Sequence, residues 1–334
     1  MRVGLAGAGR IGAFHASTLA GLADVDAVVV ADAIPEAAAQ LAGANGYDLA
    51  ASLDDLLSRV AALVITTSTT GHAATLRAAV AVGLPTFCEK PLATTLAETI
   101  ELVELVEQSG VQVHVGFQRR FDAGYRRAKQ AVETGELGFV HTLRASTHDQ
   151  SPPPAAYIPT SGGLFRDCSV HDFDIIRFVT GREVTRVFGT GANKGADFFT
   201  EGGDVDTAAA VLTLDDDTLV VATATRYNGG GHDVRLEVMG SEGTIGVGYD
   251  DSLAVRSAEE GVDFPRGPQK WSFMERFRPA YRAELTAFCD LAAGRGASPC
   301  TMADALEAFR VAEACEQSRL SGQPVEMTTI AGGE

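Results

Sequence analysis

The chain has 334 residues, which is long enough for two domains that each bury a core. Hydrophobic residues make up 46% and charged residues 21% of the chain, a balance that excludes wholesale disorder. The formal net charge of −17 repels phosphate backbones and anionic lipid headgroups, so we expect neither a nucleic acid nor a membrane partner.

The lack of a recognisable targeting signal and the scattered cysteines both favour a location inside the cell. The N-terminal residues lead directly into a predicted strand and a glycine turn, without the apolar region of a signal peptide. No run of about 18 apolar residues predicts a membrane-spanning helix. The five cysteines are scattered and contain no C-x-x-C pair, which argues against disulfides or a structural zinc. We therefore expect a cytoplasmic protein.

The first 120 residues alternate short apolar runs, typical of buried parallel strands, with helical segments. Ser52 and Thr95 open capping-box sequences, which predict helix starts. Strands are predicted at residues 2–6, 25–31, 63–66, 86–88 and 111–115, with helices at 11–22, from 35, from 52, at 73–82 and at 95–110. This alternation predicts a Rossmann domain, an α/β fold with a doubly wound parallel sheet, over residues 1–120.

The pattern changes over residues 121–334. A helix at 122–134, a strand at 139–147, a Pro-rich loop at 151–159 and a helix at 164–180 come first. A series of strands from 184 to about 255 follows, with hairpin turns at 215–217 and 240–243, and two helices at 276–293 and 303–321 end the chain. This order predicts a substrate-binding and oligomerisation domain of α+β type, with a large, mostly antiparallel open sheet.

A glycine motif between the first strand and first helix predicts a dinucleotide site. Gly7, Gly9 and Gly12 form G-x-G-x-x-G, which permits a tight turn, close approach of the backbone to a pyrophosphate and close helix–strand packing. Asp32 closes the second strand about 20 residues further on, where a carboxylate accepts hydrogen bonds from ribose hydroxyls. The alternative is an Asp32 that only caps a helix. An acid here, with no neighbouring arginine, favours NAD over NADP.

Two further groups are candidates for chemistry. Lys90 follows a strand at the carboxyl edge of the sheet, where ligands of such sheets bind, although a lysine can also be a solvated surface residue. Asp167 and His171 lie four residues apart on a predicted helix and so share a face. A carboxylate beside an imidazole raises its basicity and fixes its tautomer, as a general base requires. A plain helix salt bridge is the alternative.

These motifs together resemble the glucose–fructose oxidoreductase/inositol dehydrogenase (Gfo/Idh/MocA) family over nearly the whole chain. Within that family the likeness is greatest to inositol 2-dehydrogenases, whose corresponding segment is very similar to residues 116–122. The matching segments are residues 7–12, Glu89-Lys90-Pro91, residues 115–122 and the helix with Asp167, His171, Asp172 and Asp174.

The resemblance implies NAD-dependent oxidation of a secondary alcohol of a cyclic polyol or sugar to a ketone. The implied substrate is myo-inositol and the product 2-keto-myo-inositol. His171 removes the hydroxyl proton, Asp167 orients the imidazole, and Lys90 polarises the oxygen. Whether Lys90 or His171 holds the decisive proton stays open, because close ionisable groups titrate jointly.

The resemblance also implies further contacts. The implied cofactor contacts, beyond the three glycines and Asp32, are Arg10, Ile11, Thr67, Ser68, His72, Glu89 and Lys90. Besides Asp167 and His171, the implied substrate contacts are Gln118, Arg119, His148, Gln150, His232 and Tyr281. His232 stands where a tyrosine is frequent, Gln150 where an asparagine is frequent, and residues 67–72 replace a Thr-Pro-Asn stretch. For His15, a place beside the cofactor and a packing role are equally compatible with the sequence.

Alternatives to this function are a dehydrogenase of another inositol isomer or of an aldose or deoxysugar, an NAD-dependent glycosidase, and a non-catalytic sugar or dinucleotide sensor. The histidines and acids show no metal-ligand spacing, so no metal is expected. An open sheet face needs cover, and family members commonly pair such faces, so we expect a homo-oligomer, either a dimer or a homotetramer.

Overall fold

The computed structural model describes residues 1–264, 267–268, 270 and 272–330. These residues divide into two compact units. The first unit consists of Met1–Phe121 and Pro279–Leu306, and the second of Asp122–Arg278 and Glu307–Glu334. None of the described helices combines the length and the apolar character needed to cross a lipid bilayer.

The first unit is built on a six-stranded parallel sheet in the order β3-β2-β1-β4-β5-β6. This order defines a Rossmann fold and confirms the predicted fold class. The two-residue β3 was missed because it is short and exposed, and so gives no apolar run. The strands are Arg2–Ala6 (β1), Ala27–Ala31 (β2), Asp48–Leu49 (β3), Ala62–Ile65 (β4), Thr86–Glu89 (β5) and Val113–Gly116 (β6).

Helices connect these strands as the alternation predicts. Ser52 accepts a hydrogen bond from the main-chain N–H of Asp55, and Thr95 accepts one from Glu98, so both predicted capping residues act as caps. The helices of this unit are Arg10–Ala20 (α1), Pro35–Asn45 (α2), Leu53–Ser58 (α3), Thr69–Ala81 (α4) and Leu96–Ser109 (α5).

A later helix completes the core of the first unit. In Arg278–Ala292, which becomes α11 in chain order, Leu285 and Phe288 are fully buried in one cluster with Leu5 and Phe87. The expected division into residues 1–120 and 121–334 places this helix in the second domain. Residues 279–306 instead pack with the first unit, because the apolar face of the helix fills the space beside β1 and β5.

The second unit is built on a seven-stranded sheet in the order β12-β11-β7-β10-β9-β8-β13. Neighbouring strands are antiparallel except β7 and β10, which confirms the expected mostly antiparallel sheet. The predicted turns at 215–217 and 240–243 each join two paired strands. The strands are Val140–His148 (β7), Val184–Ala192 (β8), Thr207–Leu214 (β9), Leu219–Thr225 (β10), Asp233–Gly240 (β11), Thr244–Val247 (β12) and Val325–Glu326 (β13).

Helices cover one face of this sheet. On β7 the buried side chains Leu143, Ala145 and Thr147 alternate with more exposed ones, and the Thr147 hydroxyl donates to the buried Asp172 of α8 at 2.8 Å. We call this side the helix-covered face and the other side the open face. The helices are Ala123–Glu133 (α6), Ile158–Ser161 (α7), Val170–Thr180 (α8), Phe198–Glu201 (α9), Phe273–Arg276 (α10) and Met302–Ser321 (α12).

The structure departs from the predicted elements in several places. A short helix, Phe198–Glu201, interrupts the predicted series of strands, that series ends at Val247 and not near residue 255, and Val325–Glu326 adds a strand. Two further differences lie between residues 151 and 180. The Pro-rich loop contains a 3-10 turn at Ala155–Tyr157 and the short α7. The helix predicted at 164–180 begins with a π-helical turn over Phe165–Ser169 before α8. Such a turn adds a residue to the helical repeat, and turns of this type are frequent at functional sites.

Candidate active site

The glycine turn between β1 and α1 has the form that a dinucleotide requires. Gly7 has a φ of 111°, and a Cβ there would lie 2.5 Å from the main chain of Thr66. A Cβ on Gly12 would lie 2.0 Å from the carbonyl oxygen of Gly7, whereas a Cβ on Gly9 would meet nothing within 4 Å. The first and third glycines therefore allow close packing, and the second leaves open space where a pyrophosphate approaches the helix N-terminus.

Asp32 is tied to this turn. Its Oδ2 accepts a hydrogen bond from the main-chain N–H of Ala8 at 2.6 Å, and its Oδ1 accepts one from Ile34 at 2.8 Å. Each carboxylate oxygen keeps a second lone pair for a ribose hydroxyl. Asp32 thus shapes the glycine turn, and its expected contact with the ribose stays a prediction. Arg10 is exposed and Ile11 half-buried beside it.

The segment after β4 lies at the carboxyl edge of the same sheet. The buried Oγ1 of Thr67 has no hydrogen-bond partner among the described residues, which suits a hydroxyl that bonds a cofactor. Ser68 is exposed and shares a hydrogen bond with Thr70 at 3.0 Å. These features, the open Gly9 and the carboxylate of Asp32 fit the donors and acceptors that NAD needs.

His72 has a structural role that the sequence did not reveal. It is 2% exposed, with Nδ1 2.7 Å from the carbonyl oxygen of Pro91 and Nε2 3.1 Å from that of Thr67. Burial lowers the pKa of His72 despite these two carbonyl contacts. The ring therefore links α4 to the segment around Pro91, and its expected contact with the cofactor stays a prediction.

Lys90 directly follows β5, which ends at Glu89. The lysine is half-buried, and the peptide bond from Lys90 to Pro91 is cis. The preceding Glu89 places Oε1 2.6 Å from Nε2 of His15, which is fully buried on α1. Glu89 is itself 9% exposed, so its expected cofactor contact stays a prediction beside this observed internal pairing.

Three further predicted substrate contacts lie in the first unit. Tyr281 of α11 is 4% exposed and packs edge-on against the rings of Phe14 and His15. Its burial, with Glu89 and Glu284 nearby, raises the pKa of the Tyr281 phenol. Gln118 and Arg119 are each 3% exposed in a 3-10 turn directly after β6.

In the second unit, Asp167 lies in the π-helical turn and His171 in the first turn of α8. The Asp167 carboxylate accepts hydrogen bonds from Tyr157 Oη at 3.1 Å on Oδ1 and from Arg226 Nη2 at 2.7 Å on Oδ2. Asp167 thus belongs to a larger charge network than the Asp–His pair that the sequence predicts. The predicted pairing with His171 stays a prediction.

Sequence reasoning missed Arg226, Asp149 and Cys168 as members of this network. Arg226 is 3% exposed, and its Nη1 lies 3.2 Å from Oδ2 of Asp149 and 2.9 Å from the sulfur of Cys168. The other oxygen of Asp149 lies 3.5 Å from Nδ1 of His232. We call Asp149, Asp167, Cys168, Arg226 and His232 the arginine cluster.

Strand order explains how the arginine cluster forms. β11, β7 and β10 are neighbours, and His232, Asp149 and Arg226 lie at the ends of these three strands. Asp149 lies two residues after Thr147 of β7, and Arg226 lies two residues after the buried Ala224 of β10. Side-chain alternation therefore sends both charges to the helix-covered face.

The same alternation separates His148 from this cluster. His148 lies on the open face with Thr223, whose hydroxyl is 3.1 Å from its Nε2. Burial lowers the pKa of His148 although Asp233 lies nearby. The polyol contact predicted for His148 stays a prediction, as does that of Gln150, which is half-buried two residues further on. Among the described residues no group of three or more His, Cys, Asp or Glu could hold a metal ion.

Comparisons with known proteins agree with this architecture. Residues 1–117 match the oxidoreductase family with an NAD-binding Rossmann fold, and residues 125–246 match the GFO/IDH/MocA C-terminal domain. The myo-inositol dehydrogenase Hyg17 of Streptomyces leeuwenhoekii is 41% identical over 326 residues, 96% of this chain and 98% of that protein.

Solved structures give the same result. A putative myo-inositol dehydrogenase from Sinorhizobium meliloti superposes with a TM-score of 0.90 at 32% identity, covering 98% of this chain and 99% of that one. The scyllo-inositol dehydrogenase of Lactobacillus casei with bound NAD(H) and scyllo-inositol gives a TM-score of 0.89 at 26% identity, with the same coverage.

The glycine turn, Asp32 and these matches define the class of protein: an NAD-dependent oxidoreductase that acts on CH–OH groups. Its first 117 residues form an NAD-binding Rossmann domain. The chain belongs to the Gfo/Idh/MocA oxidoreductase family.

Proposed function

We propose that the protein oxidises a secondary hydroxyl of a cyclic polyol to a ketone, with myo-inositol as substrate and 2-keto-myo-inositol as product. Relatives named for myo-inositol and scyllo-inositol support this substrate class. Dehydrogenation of another inositol isomer or of an aldose or deoxysugar is the second candidate, favoured by His232, which replaces the tyrosine common at its position.

The charge of the arginine cluster is the observation that carries this proposal. Asp149 and Asp167 bring two negative charges and Arg226 one positive charge. The Arg226 charge is already shared between these carboxylates, so no surplus cation remains in the cluster for a phosphate or carboxylate group. Carboxylate oxygens and an imidazole, in contrast, suit the hydroxyls of a neutral polyol. The buried Nε2 of His232 has no hydrogen-bond partner among the described residues, as a group reserved for substrate requires.

We assign three catalytic roles. His171 accepts the proton of the reacting hydroxyl, Asp167 orients and tunes that imidazole, and Lys90 polarises the substrate oxygen. Bound NAD supplies the hydride acceptor. Gly7, Gly9, Gly12 and Asp32 would hold the cofactor through its pyrophosphate and ribose.

A substrate panel tests the function. The purified protein is mixed with NAD and, separately, with inositol isomers, aldoses, inositol phosphates and aryl glycosides, and reduced cofactor is followed by absorbance. We expect the highest kcat/KM with myo-inositol and a rate at least about 10-fold lower with inositol phosphates. A higher kcat/KM with an aldose would overturn the inositol assignment. Release of the aryl group without formation of reduced cofactor would indicate a glycosidase. No reaction with any compound of the panel would indicate a sensor.

We also propose a cytoplasmic homo-oligomer, a dimer or tetramer, that pairs through the open face. Phe188, Val211 and Val221 form a cross-strand row on three neighbouring strands of that face, and each is at least 40% exposed. Such a row favours burial against a second copy. Val211→Glu should shift the mass measured by light scattering toward the monomer.

A further inference from the structure

Arg226 is the centre of the arginine cluster. Its two terminal nitrogens reach two different carboxylates, Nη2 to Asp167 and Nη1 to Asp149. A guanidinium presents its donors in a rigid planar fork, so these contacts fix the two carboxylates relative to each other. Tyr157 donates to the second oxygen of Asp167. The side chain of Asp167 is therefore held from two directions.

The burial of Arg226 depends on these partners. Removing a cation from water is costly, and the cost is met only where charges and hydrogen bonds surround it. Burial opposes the charged form, but Cys168, Asp167 and Asp149 together raise the pKa of Arg226 above its ordinary value. Burial likewise opposes the ionised form of Asp149, yet a hydrogen bond from His232 and the charge of Arg226 hold the pKa of Asp149 below its ordinary value.

We propose that Arg226 is a positioning residue that holds Asp167 ionised and oriented for His171, and that holds Asp149 against His232. This inference rests on the proposed function, because His171 is the base that Asp167 serves. Arg226 supplies both a positive charge and a planar set of donors. Different substitutions at Arg226 remove one of these contributions or both. Asp149, Asp167, Cys168, Asp204 and Tyr157 are the titratable groups that face Arg226.

The kinetic test compares Arg226→Lys with Arg226→Met over a range of pH. Arg226→Lys keeps the positive charge but loses the planar pair of donors, so kcat should fall about 10-fold. The acid limb of the kcat/KM profile, which is the pH range where kcat/KM falls as the solution becomes more acidic, should not move. Arg226→Met loses both, so kcat should fall about 100-fold and the acid limb should move about one unit to higher pH. The KM for NAD should stay unchanged in both variants. Equal losses in both variants without a moved limb would show a merely structural role.

A double-mutant cycle shows whether Arg226 acts through Asp167. In an Asp167→Asn background, either substitution at Arg226 should cost less than about threefold in kcat, because the group it positions is already lost. A full loss in that background would overturn the proposal. If Arg226→Met does not fold, the cycle with Arg226→Lys decides. Arg182→Met is the matched control, since Arg182 is about half exposed and pairs with Asp215 and Asp216, which are themselves partly exposed.

A measurement without turnover separates this inference from the proposed function. The carboxyl carbon of Asp149, assigned through Asp149→Asn, is titrated by ¹³C NMR in wild type and in Arg226→Lys and Arg226→Met. The pKa of Asp149 should rise in Arg226→Met and change little in Arg226→Lys. If the pKa of Asp149 rises in Arg226→Met but the wild type is inactive on every polyol, the proposal that Arg226 holds Asp149 is retained and its catalytic role is rejected. If the pKa of Asp149 is unchanged in Arg226→Met and the wild type is active, the proposal that Arg226 holds Asp149 is rejected and the proposed function is retained.

Discussion

Oε1 of Glu89 lies 2.6 Å from Nε2 of His15, and this contact joins the helix after the glycine turn to the strand that directly precedes Lys90. His15 is fully buried and Glu89 is 9% exposed. The two residues are 74 positions apart, so the contact is a property of the fold. It couples the position of α1 to the carboxyl end of β5.

His15→Leu should destabilise the protein by about 1–3 kcal/mol, because Glu89 is left without its partner in a nearly dry site. The free energy of unfolding from urea titrations measures this loss. Ser17→Ala, on the exposed side of the same helix, is the control and should change stability by less than about 0.5 kcal/mol. Equal stabilities for the two variants would contradict a stabilising Glu89–His15 contact.

Asp32→Ala should weaken NAD binding at least about 10-fold and should narrow the preference for NAD over NADP. The substitution removes acceptors for the ribose and also the hydrogen bond from Ala8 that shapes the glycine turn. Isothermal titration with each cofactor measures both effects. Glu36→Ala removes an exposed acid from the first turn of α2 and should leave both affinities in place.

Gly12→Ala should abolish most NAD binding and lower stability, since its Cβ would lie 2.0 Å from the carbonyl oxygen of Gly7. Gly43→Ala is the matched control with the opposite expected sign. Gly43 is an exposed helical position where a Cβ meets nothing within 4 Å, so alanine should stabilise by about 0.5–1 kcal/mol. Thermal unfolding with and without NAD distinguishes the two outcomes.

His171→Ala should lower kcat by about 10²–10⁴-fold, the range that a positioned general base contributes. NAD binding should persist, because the glycine turn and Asp32 are untouched. Stopped-flow measurement of reduced cofactor, together with a direct binding assay for NAD, separates the two effects. A variant with wild-type rates would reject the assignment of His171 as the base.

The stability of the protein should depend on Asp149 in acid. The pKa of Asp149 lies below its ordinary value of 3.8, because Arg226 and His232 favour the ionised form more strongly than burial opposes it. The contribution of ionised Asp149 to the free energy of unfolding is therefore complete above about pH 4, and it is lost as the pH falls through the pKa of Asp149 in the folded protein. Urea unfolding between about pH 3 and 6 should show a steeper acid loss in wild type than in Asp149→Asn. The exposed Asp197→Asn should follow wild type.

The sequence predicts the first unit well because its signals are local. Apolar runs mark β1, β2, β4, β5 and β6, and each run is followed by a helical segment with its own caps. The dinucleotide motif is likewise contiguous in the chain. Membership of α11 in the first unit is not a local property, because it depends on which apolar surface the helix meets after folding.

The arginine cluster could not be predicted because it depends on strand order. Asp149, Arg226 and His232 meet only because β7 lies between β11 and β10. The alternation that turns Asp149 and Arg226 to the helix-covered face is visible in the sequence, but it becomes useful only once the neighbouring strands are known. The four-residue spacing of Asp167 and His171 likewise assumes a regular α-helix, whereas a π-helical turn carries Asp167.

Residues 279–306 complete the core of the first unit, although they leave the ribosome only after residues 122–278. Until then the nascent Rossmann sheet lacks Leu285 and Phe288, and the apolar surface that these side chains cover stays open to water. The cofactor-binding half is synthesised first but finishes folding only once residues 279–306 have been synthesised. Binding of chaperones to this protein should therefore be greatest on ribosome-bound chains that stop short of α11.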